Sequence, residues 1–239
     1  GTYQSATAQT SCEDADAGNY VDTTASTSQT ECAIGTWQED FAQSSCDDAE
    51  PGYYVGSTGQ SAQTECAIGT WQENYTQSSC DDAEPGNYVD TTASTSQTEC
   101  AIGTWQENYT QSSCNDAEAG HYVDSTASTS QTECAIGTWQ DSTGQESCWD
   151  ASAGSYVYET GLDFQTPCAA GTFQPDMGQE SCLDAEAGNY VYWSGSDFQT
   201  ECAIGTWQEY TGQDSCDDAR AGHYVDSTGS DSQTECALG

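Results

Sequence analysis

The stretch Cys32-Ala-Ile-Gly35-Thr-Trp37-Gln-Glu-Asp-Phe-Ala-Gln-Ser-Ser-Cys46 decides how this chain is read. It returns at 66–80, 100–114, 134–148, 168–182 and 202–216, altered in detail and never in length. The fourteen cysteines are thus spaced 20, 14, 20, 14 along the whole sequence. The chain is a tandem array of a 34-residue unit: 1–34, 35–68, 69–102, 103–136, 137–170, 171–204 and 205–238, with Gly239 starting an eighth. Identical gap-free units have no unique centre, so such a chain builds length and not a pocket. It starts and stops in register, which reads as a window on a longer array. Nothing at its start resembles a signal peptide and no apolar run is long enough to span a membrane, so membrane insertion within this segment is not expected.

Each unit splits again into two half-modules of 17 residues, as in Gly1 to Ala17 and Gly18 to Ile34. Both place an aromatic residue two positions after the leading glycine, Tyr3 and Tyr20. In this alignment Cys12 faces Gln29, and Ala15 faces Cys32. An ancestral C-x-x-C-x-x-G-x-Y module, each half keeping one of two cysteines, explains the pattern.

One Arg, no Lys and forty Asp plus Glu give a formal charge of −39. That charge excludes nucleic acid and anionic membrane surfaces as partners. Val, Ile and Leu are sparse, so the expected core is one aromatic and one Tyr-Val pair per unit, such as Trp37 with Tyr54 and Val55. A unit of this size needs staples or neighbours to be stable. An even number of cysteines at fixed spacing reads as a disulfide framework in an oxidising compartment. No close C-x2-4-C pair suits zinc or an iron–sulfur cluster. No segment has helical periodicity, and Gly, Pro, Ser, Thr and Asp punctuate throughout. The expected fold is therefore small, disulfide-rich, all-β and irregular, with no helix. Short strands fall at T-W-Q, Y-V and Q-T-E-C, and the units run as an elongated, solenoid-like rod.

Several polar residues recur in every unit. Asp14, Asp48, Asp82, Asp116, Asp150, Asp184 and Asp218 follow the first cysteine by two positions. An Asp there is expected to bond its own turn; calcium is the alternative, though it needs six to eight oxygen ligands. No other cofactor is expected. Gln9 and Gln29 also recur, and read as buried amides bridging backbone groups between loops. Gly18 and its equivalents read as positive-φ turn residues. His121 and His223 fill a variable position. There is no Lys nucleophile, phosphate loop or Ser–His–Asp set, so no enzyme activity is expected.

The segment Cys32–Cys46, C-A-I-G-T-W-x8-C, resembles the C-x-x-G-x-Y-x8-C module of ephrin-receptor-like, or GCC2-GCC3, cysteine-rich repeats. It is similar also to the simplest loop of TNF-receptor cysteine-rich domains. The resemblance covers all seven units, with half the family's cysteines missing. Together with symmetry it implies bridges Cys32–Cys46, Cys66–Cys80, Cys100–Cys114, Cys134–Cys148, Cys168–Cys182 and Cys202–Cys216. Bridges between 20-spaced cysteines inside one unit satisfy the symmetry too. Under the first pattern Cys12 and Cys236 pair with flanking repeats, or with an identical copy in head-to-tail register. The family's members serve as stalks, ectodomains and surface fibres. The resemblance therefore implies an extracellular or cell-surface structural fibre or stalk, as in repeat-rich surface glycoproteins of microbes and algae, including mastigoneme-like appendages. The alternative is an adhesin or receptor ectodomain that binds along lateral faces.

Two surface features fit that reading. Asn74-Tyr-Thr and Asn108-Tyr-Thr are N-glycosylation sequons. The runs around Thr23, Thr24 and Thr27, around Thr91, Thr92 and Thr95, and around Thr126 and Thr129 read as O-glycan platforms. The fifth and sixth units add Trp149, Tyr158, Leu162, Phe164, Leu183, Tyr192, Trp193 and Phe198 at positions polar in most other units. Aromatics clustered on a polar surface mark a lateral contact, with a copy of the chain itself as the expected partner.

Overall fold

A computed structural model describes residues 1–237; the start of an eighth unit at Gly239 lies outside the described residues. Among them the chain folds as 28 two-residue strands in 14 two-stranded sheets, with no helix. There is one strand pair per half-module. Thr2–Tyr3 pairs antiparallel with Glu13–Asp14, Thr2 opposite Asp14. Asn19–Tyr20 pairs with Thr30–Glu31 in the same register. The half-module is the physical repeat, and the 34-residue unit is two of them. The T-W, Y-V and T-E expectations each meet a strand. A fourth strand per unit, such as Asp47–Asp48, was not expected from its charge. It forms because its backbone closes a hairpin while both side chains stay in water.

Two compact stretches can be distinguished: Gly1–Asn115 with Thr126–Ser130, and Asp116–Ser125 with the chain from Gln131 onward. Each repeats one pattern of backbone bonds. In the first, the Gly18 N–H donates to the Gln38 carbonyl of the next module at 2.7 Å, and Val21 donates to Gln43 at 3.0 Å. The Ala42 N–H, in the third module, donates back to Ala15 in the first at 2.8 Å. In the second stretch Gly154 donates to Gln174, Val157 to Gln179 and Gly178 back to Ala151, at 2.7 to 2.9 Å. Within each stretch a module is therefore held by the next and by the one after it. Strands this short have few ladder bonds, and these bonds give the remaining backbone groups their partners.

The overlap explains what is buried. Ala15, Cys32, Ala49 and Cys66 occupy one station and are fully buried, because a later module closes over it. Only Ala or a half-cystine fits. Gly18, Gly35, Gly52 and Gly69 hold φ of 81° to 85°, the positive-φ role expected of them. A Cβ on Gly52 would stand 2.2 Å from the Ala93 carbonyl oxygen. The third buried station alternates Val21, Gln38, Val55 and Gln72. This corrects the expected core: the Trp and Tyr rings are only half-buried flanks, while Ala, Cys, Gly, Val and Gln form the interior. Modules stacked so closely leave no room for a ring on the axis of contact.

Candidate functional site

The junction between modules concentrates the chain's chemistry. Six disulfides join the 14-spaced cysteines Cys32–Cys46, Cys66–Cys80, Cys100–Cys114, Cys134–Cys148, Cys168–Cys182 and Cys202–Cys216. The first of each pair is the fully buried core residue of one module. The second precedes the second strand of the following module. Every bridge thus crosses a boundary between 34-residue units, and none lies inside one. The 20-spaced alternative fails because the core station faces the module that follows it, whereas Cys12 stands on the side of its module that faces backward. Cys12 and Cys236 are unpaired and exposed.

The junctions without a bridge have a substitute. Gln29 stands where Cys46 stands one module later. Its side-chain oxygen accepts from the Asp16 N–H at 2.8 Å, and its amide donates to the Asp16 carboxylate at 2.9 Å. The same clasp joins Gln63 to Glu50, Gln97 to Glu84, Gln131 to Glu118, Gln165 to Ser152, Gln199 to Glu186 and Gln233 to Arg220, at 2.7 to 2.9 Å onto the backbone. Covalent and hydrogen-bonded junctions alternate along each stretch. The expectation that Gln29 bridges loops describes this clasp, except that the amide is half-exposed.

Gln9 and its equivalents are a correction. Gln43 donates to Phe41 and Gln77 to Tyr75, two residues back in their own loops, so this amide bridges nothing. Its backbone carbonyl makes the contact between modules instead. The buried amide is the one after the aromatic, Gln38, Gln72, Gln106, Gln140, Gln174 and Gln208. Gln140 accepts from the Ser142 N–H and donates to the Ser147 carbonyl, at 3.1 and 3.0 Å. It pins both ends of its loop from inside. The signal was present in the sequence: this Gln is constant in all seven units and aligns with a core Val. Some of the alternate modules, with Val there, close the loop by hydroxyls, as Thr23 with Ser26 and Thr91 with Ser94.

The Asp14 series is also corrected. Asp48 and Asp82 lie on exposed strands, not in turns, so they have no turn backbone of their own to bond. Among the described residues no three His, Cys, Asp or Glu side chains gather as a cation would need. His121 stands beside the Ala119 carbonyl, and His223 lies 3.9 Å from the Glu235 carboxylate.

The surface positions are accessible. Asn74 and Asn108 are exposed at loop tips. Thr76 and Thr110, the third residues of the two sequons, hold φ of 62° and 63°. Thr23, Thr24, Thr27, Thr91, Thr92, Thr95, Thr126 and Thr129 are exposed too. Thr23 and Thr91 use their hydroxyls to close loops. Trp149, Tyr158, Phe164, Trp193 and Phe198 are 48% to 74% exposed. Leu183 and Tyr192 are exposed as well, while Leu162 is half-buried. No helix among the described residues is long and apolar enough to cross a membrane. No protein-family model matches this chain, and no curated protein matches it.

Proposed function

We propose that this chain is a structural protein of an extracellular fibre or stalk, glycosylated and built by tandem repetition. Regular disulfide-rich modules fit a structural role, and six bridges fit an oxidising compartment. The observation that carries the reading is the placement of the bridges. Each one crosses a unit boundary, so tension along the chain meets a covalent tie wherever one unit ends and the next begins. Each bridge closes a short loop and contributes about 3 kcal/mol on the chain-entropy model. The same joint recurs six times, as a thread under tension along its length would need. Cys12 and Cys236 occupy the two halves of the bridge station, so a neighbouring copy in the same register would complete it.

The acidic surface supports the same reading, since like charge keeps neighbouring threads apart and solvated. Glycans at Asn74 and Asn108 would add to that coat. Enzymatic release of N-glycans from native material should convert both Asn to Asp in peptide maps; unmodified Asn at both sites would refute the N-linked decoration. The fibre itself is tested by electron microscopy of native material. Long uniform filaments are expected. Short discrete particles would contradict the reading and favour a ligand-binding ectodomain.

A further inference from the structure

The bridges sort the chain into two kinds of segment once it is pulled. Tension that reaches Cys66 crosses the Cys66–Cys80 bond, so residues 67–79 carry none of it. The chain from Cys80 to Cys100 has no such bypass and carries all of it. Only hydrogen bonds hold that segment in place. They are the pairing of Asn87–Tyr88 with Thr98–Glu99, the clasp of Gln97 onto the Glu84 backbone, and bonds to earlier modules such as the Gly69 N–H to the Val89 carbonyl. Hydrogen bonds exposed to water are weak beside a covalent bond. The unbridged segments therefore yield first, while the bridged loops stay closed.

The segment that yields also covers the bridge before it. Cys66 is fully buried and Cys80 half-buried. The cover is the loop at Ala93. Its N–H donates to the Cys66 carbonyl at 2.9 Å, and its own carbonyl packs against Gly52, where a Cβ would stand 2.2 Å away. The same contact recurs at every bridge: Gly59 donates to Cys32, Ala127 to Cys100, Gly161 to Cys134, Gly195 to Cys168 and Gly229 to Cys202, at 2.7 to 2.9 Å. Cys236 occupies the same station with no such loop over it among the described residues, and it is exposed. Each cover lies in the unbridged segment that follows its bridge, so drawing that segment out uncovers the bridge.

A disulfide is cut by a thiolate that attacks one sulfur and expels the other. At rest, burial blocks attack on Cys66. Attack on Cys80 expels the Cys66 thiolate into a buried site, where desolvation disfavours the anion and slows its departure. Both routes open once the cover is gone. A small-molecule thiolate then forms a mixed disulfide with one cysteine, and the other leaves as a thiolate and takes up a proton. A second small thiol displaces the first cysteine. The bridge gains two electrons and two protons, and two small thiols become one small disulfide. We propose that the chain is an extensible tether whose bridges resist small-molecule thiols at rest and yield to them when tension draws their covers away. The proposal rests on the fibre reading, which supplies the tension. Each bridge cut frees 14 residue steps, roughly 48 Å of chain at full extension in place of a 5.7 Å Cα–Cα span.

Single-molecule pulling between maleimide handles on Cys12 and Cys236 tests this, because both thiols are exposed and all six bridges lie between them. Without thiol, the chain should yield and then stop short of full extension by six closed loops. With reduced glutathione present, up to six further steps of about 42 Å should follow that yielding. Load itself speeds the exchange, so exposure is also measured without load. In the relaxed chain, with both free thiols alkylated, glutathione should cut the bridges about tenfold more slowly than in denaturant. Gly52→Ala pushes the Ala93 loop off Cys66 and should let Cys66–Cys80 be cut several-fold faster than the four bridges that follow it. Relaxed and denatured chains cut at one rate, or a variant bridge cut no faster than those four, would overturn the proposal. So would full extension without thiol, or thiol-dependent steps that precede yielding. Native filaments whose bridges are open to glutathione at rest would overturn it and leave the fibre reading standing. Covered bridges in native material that forms only short particles would overturn the fibre reading and the tether with it.

Discussion

Gly86 and Gly144 both hold a left-handed backbone, at φ 82° and 71°, but only one of them is short of room. A Cβ on Gly86 would lie 2.2 Å from the Ala127 carbonyl oxygen, which is backbone and cannot step aside. A Cβ on Gly144 would meet only the Asp116 side chain, at 3.6 Å. At the station of Gly144 other modules already carry Ala25, Ala42, Ala93 and Ala127 at φ of 53° to 59°. Gly86→Ala should therefore destabilise its junction by about 3 kcal/mol, and Gly144→Ala by about 1 kcal/mol. Amide hydrogen exchange around each site measures both, and resolves local opening that a single melting curve would blur. Equal effects would show that room at the contact is not what makes the first glycine necessary. The glycine's duty was legible because it leads every half-module. The roles of Gln38 and Asp48 were not. Both are constant and polar, and sequence does not say that one amide turns inward to pin a loop while one carboxylate stays on an open strand.

At the scale of the strand pair and its junctions, the two kinds of joint should differ in strength. Gln97→Ala removes one clasp onto the Glu84 backbone and should cost about 1 kcal/mol, the worth of an ordinary hydrogen bond. Replacing Cys66 and Cys80 together by Ala should cost about 3 kcal/mol. Exchange protection at residues 83–86 against that at residues 66–69 reports the pair; a clasp as costly to lose as a bridge would contradict the alternation of strong and weak joints. The half-module was visible in the alignment of Cys12 with Gln29 and Ala15 with Cys32, and the structure makes it the unit of packing. What the alignment could not supply is the reach to the second module on. That depends on backbone groups of residues such as Ala15 and Ala42, which carry no side-chain signal.

Over the whole chain, the regular cysteine spacing pointed to a disulfide-rich tandem array, and the lack of helical periodicity with frequent turn residues pointed to short strands and no helix, because neither pattern depends on fine packing. The pairing was less legible: spacing alone allowed bridges within units or across them. The bridges lie across, so that units are tied end to end. Peptide mapping of native, unreduced protein tests it most directly. Trypsin is of little use with one Arg and no Lys, whereas cleavage after Glu cuts between Cys32 and Cys46 at Glu39. The peptide 32–39 should be found joined to 40–65, because the Glu50–Pro51 bond resists cleavage, with the equivalent pairs in later units. A peptide containing Cys12 joined to one containing Cys32 would place the bridges inside units and contradict the account.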